Sequence, residues 1–233
     1  MPKLKAVLFD LEMTLFDAES HKKKSVELAA QAMVDAGLKM EKEDAGKLLW
    51  KEYKKVFHGS NVISDFLKNN NQFDPIILEA GINGYRKVWV ENTESYPGVK
   101  ETLTKLKSLG LRLAIVTDAP LKKALKRVNA LGLSDFFEEV LGPNEFDDNL
   151  PRKPSPEPFL KALNQMGLKP EEAAYVGDWP ERDIKGANEV GLISIHAKYG
   201  NVLSDNSYKG KSDYEINAFN ELLGVIHSIN QNP

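Results

Sequence analysis

Five short apolar runs punctuate the chain: KAVLFD at 5–10, LRLAIVTD at 111–118, EEVLG at 138–142, AAYVGD at 173–178 and LISIHA at 192–197. Each is too short for a buried helix and ends in charged or turn-forming residues. Each therefore predicts a strand covered on both faces, as in a mainly parallel sheet. Between them the apolar spacing lengthens to that of a helix. PGVKETLTKLKSLG (97–110) has proline at its start and glycine at its end, LKKALKRVNALG (121–132) closes at Gly132, and PEPFLKALNQMG (156–167) closes at Gly167. Strand and helix in alternation predict an α/β fold, a Rossmann-like doubly wound sheet. NAFNELLGVIHSIN (217–230) predicts a closing helix, and DNSYKGKSD (205–213) reads as loop.

Residues 17–93 break this rhythm. Val26, Ala29, Ala30 and Met33 recur at helical spacing, as do Leu49, Tyr53 and Val56, and then Leu78, Ile82, Tyr85 and Trp89. The expectation is an α-helical insert with its own core, to which Leu49, Trp50, Tyr53, Phe57 and Trp89 contribute. It divides an α/β core of residues 1–16 and 94–233, so that the core is discontinuous in sequence.

Composition narrows the class. The 233 residues are 42% hydrophobic and 28% charged with a net charge of −3, ordinary for a globular chain and unfavourable for nucleic acid or an anionic membrane. There is no cysteine, which removes disulfides, thiolate nucleophiles and Cys-ligated metals. Asp10 ends the first apolar run too early for a signal-peptide core, and no stretch approaches the roughly 18 apolar residues of a membrane span. A cytoplasmic protein, monomeric or a small homo-oligomer, is expected.

In open α/β sheets ligands bind beyond the carboxyl ends of the strands. The residues there are Asp10 and Glu12, Thr117 and Asp118, then Asp178 with Asp183. To these the loop LPRKPSPEPF (150–159), whose alternating prolines predict an extended backbone, adds Lys153. Taken singly, each has a plainer reading: a polar strand end, a helix N-cap at Asp118, an acidic helix start around Asp183, a surface lysine. Taken together, five carboxylates and one ammonium carry a formal charge of −4, which calls for a cation. Hard oxygen donors suit Mg²⁺, while His21, His58, His196 and His227 show no zinc-type spacing. The chemistry this suggests is phosphoryl transfer with a carboxylate nucleophile. The lysine-rich run at 121–127 reads as a solvated helix face.

FDLEMT, IVTD, RKPSPEPF and VGDWPERD, in that order, resemble the four motifs of the haloacid dehalogenase (HAD) superfamily, in the subfamily whose helical cap is inserted after the first motif. Their wording is most similar to that of archaeal-type small-phosphometabolite phosphatases. The resemblance implies Asp10 as nucleophile and Glu12 as general acid/base. It implies Thr117 and Lys153 as phosphate-binding residues that also serve catalysis, with backbone amides at Asp118. It also implies Mg²⁺ held by Asp10, the main-chain carbonyl of Glu12 and Asp178, with Asp183 as a direct ligand or one layer behind. The substrate implied is a small phosphorylated metabolite, with the cap closing over it to exclude water. Glu12 departs from the pattern, because phosphatases of this family usually carry aspartate there. A misplacement of about 1 Å can cost on the order of a hundredfold in rate. The expected enzyme is therefore a phosphatase whose leaving-group protonation is compromised or re-aimed. A haloacid dehalogenase, a phosphomutase and a catalytically weakened binding protein share the fold as alternatives; a dehalogenase would need neither the metal nor the acid at position 12.

Overall fold

The computed structural model describes residues 4–55, 61–91, 94–144, 150–200 and 207–231, without the side chains of 55 and 88–91. Val56, Phe57 and His58, and the side chain of Trp89, lie outside what is described. The chain divides into two compact units, one of 1–17 with 94–233 and one of 18–93.

In the first unit the described strands are β1 Ala6–Phe9, β2 Arg112–Val116, β3 Glu139–Leu141, β4 Ala173–Gly177, β5 Ile193–Ala197 and β6 Tyr214–Ile216. They form one parallel sheet in the order β3-β2-β1-β4-β5-β6. The five predicted runs all become strands. β6 is an addition: three residues with a charge in the middle, lying on the sheet edge where, among the described residues, one flank pairs with no strand.

β1 occupies the middle of the sheet, flanked by β2 and β4, and all four of its residues are buried. Successive side chains point to opposite faces. Ala6 and Leu8 join Ala114, Val116, Phe159, Leu163, Met166 and Tyr175 in the core on one face. Phe9, on the other face, meets Phe219 at 5.9 Å and Phe137 at 6.1 Å between ring centroids. The chain leaves the sheet after β1 and returns beside itself: Phe16 bridges Ser95, and the Tyr96 amide donates to the Leu15 carbonyl at 2.9 Å.

The second unit contains α1 Ala18–Asp35, α2 Lys42–Lys55, α3 Val62–Asn69 and α4 Pro75–Glu91. The stripe Val26, Ala29, Ala30 and Met33 is buried with Leu49, Ile63, Phe66 and Leu67, and Trp50, Tyr53, Leu78, Ile82 and Tyr85 pack against that core. Asp74 starts α4 by accepting from the Ile76 amide at 2.7 Å, ahead of a proline that needs no partner for its nitrogen. Gly84 lets α1 and α4 approach closely: a Cβ there would stand 2.6 Å from the Leu28 carbonyl and 2.8 Å from the Ala32 Cβ.

Back in the first unit, α5 is Val99–Ser108, α6 Leu121–Ala130, α7 Glu157–Met166, α8 Lys185–Val190 and α9 Leu222–Gln231. Among the described residues no helix is long and apolar enough to cross a membrane. Two glycine substitutions should move stability in opposite directions. Gly84→Ala forces backbone against backbone and is expected to cost about 1–3 kcal/mol. Gly224→Ala, in α9 with nothing within 4 Å of the new methyl, should gain about 0.5–1 kcal/mol. Thermal unfolding of the two variants, read as opposite shifts of the midpoint, checks both.

Candidate active site

The order of winding reverses at β1, with β2 and β3 to one side and β4 to β6 on the other. That reversal opens a crevice at the carboxyl ends of β1, β2 and β4. Asp10 directly follows β1, Thr117 follows β2, and Asp178 follows β4. Directly after Glu12 the chain turns, and Met13 takes the left-handed φ of 64° that non-glycine residues seldom adopt. Gly200 backs onto this turn, since a Cβ there would fall 1.8 Å from the Met13 carbonyl oxygen and 2.8 Å from the Asp178 Cβ.

Lys153 lies at the centre and is 4% exposed. Its Nζ donates to Asp10 Oδ1 at 2.5 Å, to Asp183 Oδ1 at 2.6 Å and to the Tyr175 hydroxyl at 2.9 Å, so each of its three protons has an acceptor. The prolines around it were expected to hold an extended backbone. Instead the chain turns, with the Ser155 amide donating to the Arg152 carbonyl at 3.0 Å and the Lys153 amide donating to Asp118 Oδ1 at 3.0 Å. A buried carboxylate competes successfully for the backbone amide that extension would have left facing solvent.

Asp183 belongs to a wide π-helical turn, Pro180–Ile184, of a kind common at functional sites. Both of its oxygens are engaged, Oδ1 by Lys153 and Oδ2 by the Trp179 amide at 2.9 Å. Gly177 makes room for it, because a Cβ on Gly177 would sit 2.5 Å from the Asp183 side chain. Asp178 receives a hydrogen bond on Oδ1 from Thr14 at 3.3 Å, and its carbonyl lies 3.1 Å from His196 Nε2. Thr117 Oγ1 accepts from the Ala119 amide at 3.2 Å.

Asp10, Asp178 and Asp183 each offer an oxygen, and these atoms lie within 4.8 Å of one another. Three buried carboxylates against one ammonium leave a local surplus of negative charge, which the titration behaviour registers. Burial pushes the Asp10 carboxyl up to about 7, with Lys153 pulling it down and Asp183 and Asp118 pushing it up further. Burial, then Asp183 and Asp10, hold Asp178 well above the usual carboxylate range. Burial opposes the charge on Lys153, yet Asp10 and Asp183 keep its ammonium well above the ordinary value. A hard divalent cation fits this donor set, because it replaces lost hydration of the carboxylates with coordination.

Two guanidinium groups absent from the expected constellation join it. Arg182 donates from Nε to the Lys153 carbonyl at 3.2 Å, pairs through Nη2 with Asp118 Oδ2 at 2.8 Å, and stacks on Trp179 at 4.7 Å. Asp118 is thus a tie between loops in addition to any amide it offers. Arg127 Nη1 donates to Glu12 Oε1. The reading of 121–127 as a solvated face holds for Lys122, Lys123 and Lys126, which are exposed, and fails for Arg127, whose side chain is 13% exposed. With both arginines counted, the expected surplus of four negative charges across the site falls to two. Glu12 stands apart from the group built around Lys153.

Tyr175 also escaped the sequence reading. A tyrosine in a strand buried on both faces must find a partner for its hydroxyl, and this one accepts from Lys153 while lying 3.0 Å from the Val116 carbonyl and 3.1 Å from Asp183 Oδ1. Burial, followed by the charge of Asp183, raises the Tyr175 phenol well above its ordinary value, so it stays neutral.

Comparison with known proteins identifies the family. The family model described as haloacid dehalogenase-like hydrolase matches residues 7–197, which contain every residue from Asp10 to Asp183. A glyceraldehyde 3-phosphate phosphatase of Methanocaldococcus jannaschii is 35% identical over 232 residues, covering 97% of this chain and 98% of that one. A protein of the same name from Methanopyrus kandleri is 30% identical over 234 residues, again covering 97% and 98%. Among solved structures, a HAD phosphatase from Thermococcus onnurineus superposes with a TM-score of 0.66 at 27% identity, covering 96% of this chain and 98% of that one. With its motifs, its sheet order and these relatives in agreement, the chain belongs to the haloacid dehalogenase-like hydrolase family.

Proposed function

We propose that this protein is a Mg²⁺-dependent phosphatase that hydrolyses a small phosphate monoester through a phospho-Asp10 intermediate. The observation that carries the reading is the buried Asp10–Lys153 pair at the head of the central strand, beside Asp178. Lys153 engages Oδ1 of Asp10, and among the described residues Oδ2 takes no hydrogen bond. That second oxygen is assigned the attack on phosphorus. As the Asp10–phosphorus bond forms, the ester oxygen leaves with a proton from Glu12. Glu12 then takes a proton from water as it attacks the phospho-aspartate, releasing inorganic phosphate and restoring Asp10.

Thr117 and Lys153 are assigned to the phosphoryl oxygens. The Thr117 hydroxyl accepts from the Ala119 amide, so its own proton is available for donation. Asp10, Asp178 and the carbonyl of Glu12 are the proposed Mg²⁺ ligands. Asp183, with both oxygens already engaged, is the better candidate for orienting Lys153. Bound metal would supply neutralisation of charge on the transferring group. The helical unit at 18–93 is assigned the part of a specificity cap, and the protein is placed in the cytoplasm. The names of the relatives support a small phosphorylated metabolite as substrate, with glyceraldehyde 3-phosphate the first to try.

Phosphate release from p-nitrophenyl phosphate and glyceraldehyde 3-phosphate tests the reaction. Asp10→Asn and excess EDTA should each lower turnover by on the order of a thousandfold or more. Activity that survives either one would defeat the mechanism. Calorimetric titration of Mg²⁺ into the metal-free protein tests the ligand set without turnover. Native protein should give a saturable signal that Asp178→Asn loses, and equal binding by that variant would remove Asp178 from the site.

A further inference from the structure

Glu12 is the position at which the sequence departs from its family pattern, and its extra methylene has a destination. Its Oε1 meets the guanidinium of Arg127, with the two side chains 17% and 13% exposed, so the pair is largely shielded from competing water. Arg127 lies on α6, the helix that begins just after Thr117, Asp118 and Ala119. Side chains on a helix lean toward its N-terminus. An arginine about 9 Å down the axis therefore leans back toward the end of β2, where the site is. On the same helix Ala124 and Val128 are buried while Lys122, Lys123 and Lys126 are exposed. Arg127 sits at the margin between these faces, with its stem against protein and its head at Glu12.

We propose that Arg127 is a positioning residue for Glu12: its guanidinium fixes the longer carboxylate at the leaving-group oxygen. Glutamate and arginine then act as one unit. An aspartate at position 12 would be shorter by one methylene, which draws its carboxylate back from Arg127. A lysine at 127 would supply charge without the planar fork that restrains a carboxylate. The inference rests on the phosphatase reading, because it assigns Glu12 the proton transfers of that reaction.

The test is steady-state phosphate release from glyceraldehyde 3-phosphate by native protein, Arg127→Ala, Arg127→Met, Glu12→Asp and the double variant of Glu12→Asp with Arg127→Ala. Arg127→Met keeps the apolar stem and serves if the alanine variant folds poorly. Either substitution at 127 is expected to lower kcat by about ten- to a hundredfold with KM within about twofold. Added guanidinium ion should restore part of the loss in Arg127→Ala. Glu12→Asp should be slower than native, and adding Arg127→Ala to it should cost less than about twofold more. An unchanged kcat at 127 overturns the inference, as do losses that multiply in the double variant or a Glu12→Asp enzyme faster than native. A rise in KM alone overturns it too, by assigning Arg127 to the substrate. Absence of turnover in the native protein on both glyceraldehyde 3-phosphate and p-nitrophenyl phosphate overturns the phosphatase reading and this inference with it, whereas an active native enzyme indifferent to Arg127 overturns the inference alone.

Discussion

The site depends on an ammonium group taken almost wholly out of water. Lys153 has surrendered its hydration to two carboxylates and a phenol, at 2.5, 2.6 and 2.9 Å, which come from the end of β1, the turn that follows β4 and the middle of β4. Burying a charge is costly unless the geometry of its partners is close to ideal, and removing one partner leaves an uncompensated ion. The surrounding architecture can be understood as meeting that condition. Gly177 is bare so that Asp183 can come close, the 150–156 loop is pinned by Asp118 so that Lys153 enters from the correct side, and Arg182 ties Asp118 to the Lys153 backbone.

The same arrangement keeps charge and chemistry apart. Lys153 holds one oxygen of Asp10 and among the described residues the other takes no hydrogen bond, while Thr14 and the His196 ring fix Asp178 from its side chain and its carbonyl. Glu12 is held by a separate cation on a separate helix. Two carboxylates two residues apart in sequence therefore work in different surroundings, which is the condition for giving them different proton-handling roles.

Much of this is legible in the residues themselves, for identifiable reasons. Strands β1, β2, β4 and β5 lie inside a covered parallel sheet, so their apolar runs are nearly unbroken, and the acidic residues that follow β1, β2 and β4 mark the carboxyl edge. β6 is hidden because an edge strand of three residues needs little apolar content and follows a Gly- and Lys-rich stretch. Arg127 is hidden for another reason. It shares a run with lysines that do face solvent, and only the fold separates it from them. Tyr175 was within reach, since a polar atom at the middle of a buried strand announces a partner even when the partner cannot be named. The turn at Lys153 differs from the extended backbone its prolines predict because proline statistics describe a chain competing only with water, and here a buried carboxylate competes as well.

The placement of β1 at the centre of the sheet has a bearing on how the enzyme comes into being. Asp10 belongs to the opening segment of the chain, yet the ammonium that serves it lies 143 residues downstream and Asp178 lies further still. Contacts of such span are late and slow to form. Until β4 has docked against β1, Asp10 is an ordinary solvated carboxylate with no cation beside it. Assembly of the buried cluster is thereby coupled to completion of the parallel core: a nascent or partly unfolded chain carries Asp10 without Lys153 or Asp178 beside it. Turnover, once measurable, doubles as a readout of whether β1 and β4, far apart in the chain, have paired at the centre of the sheet.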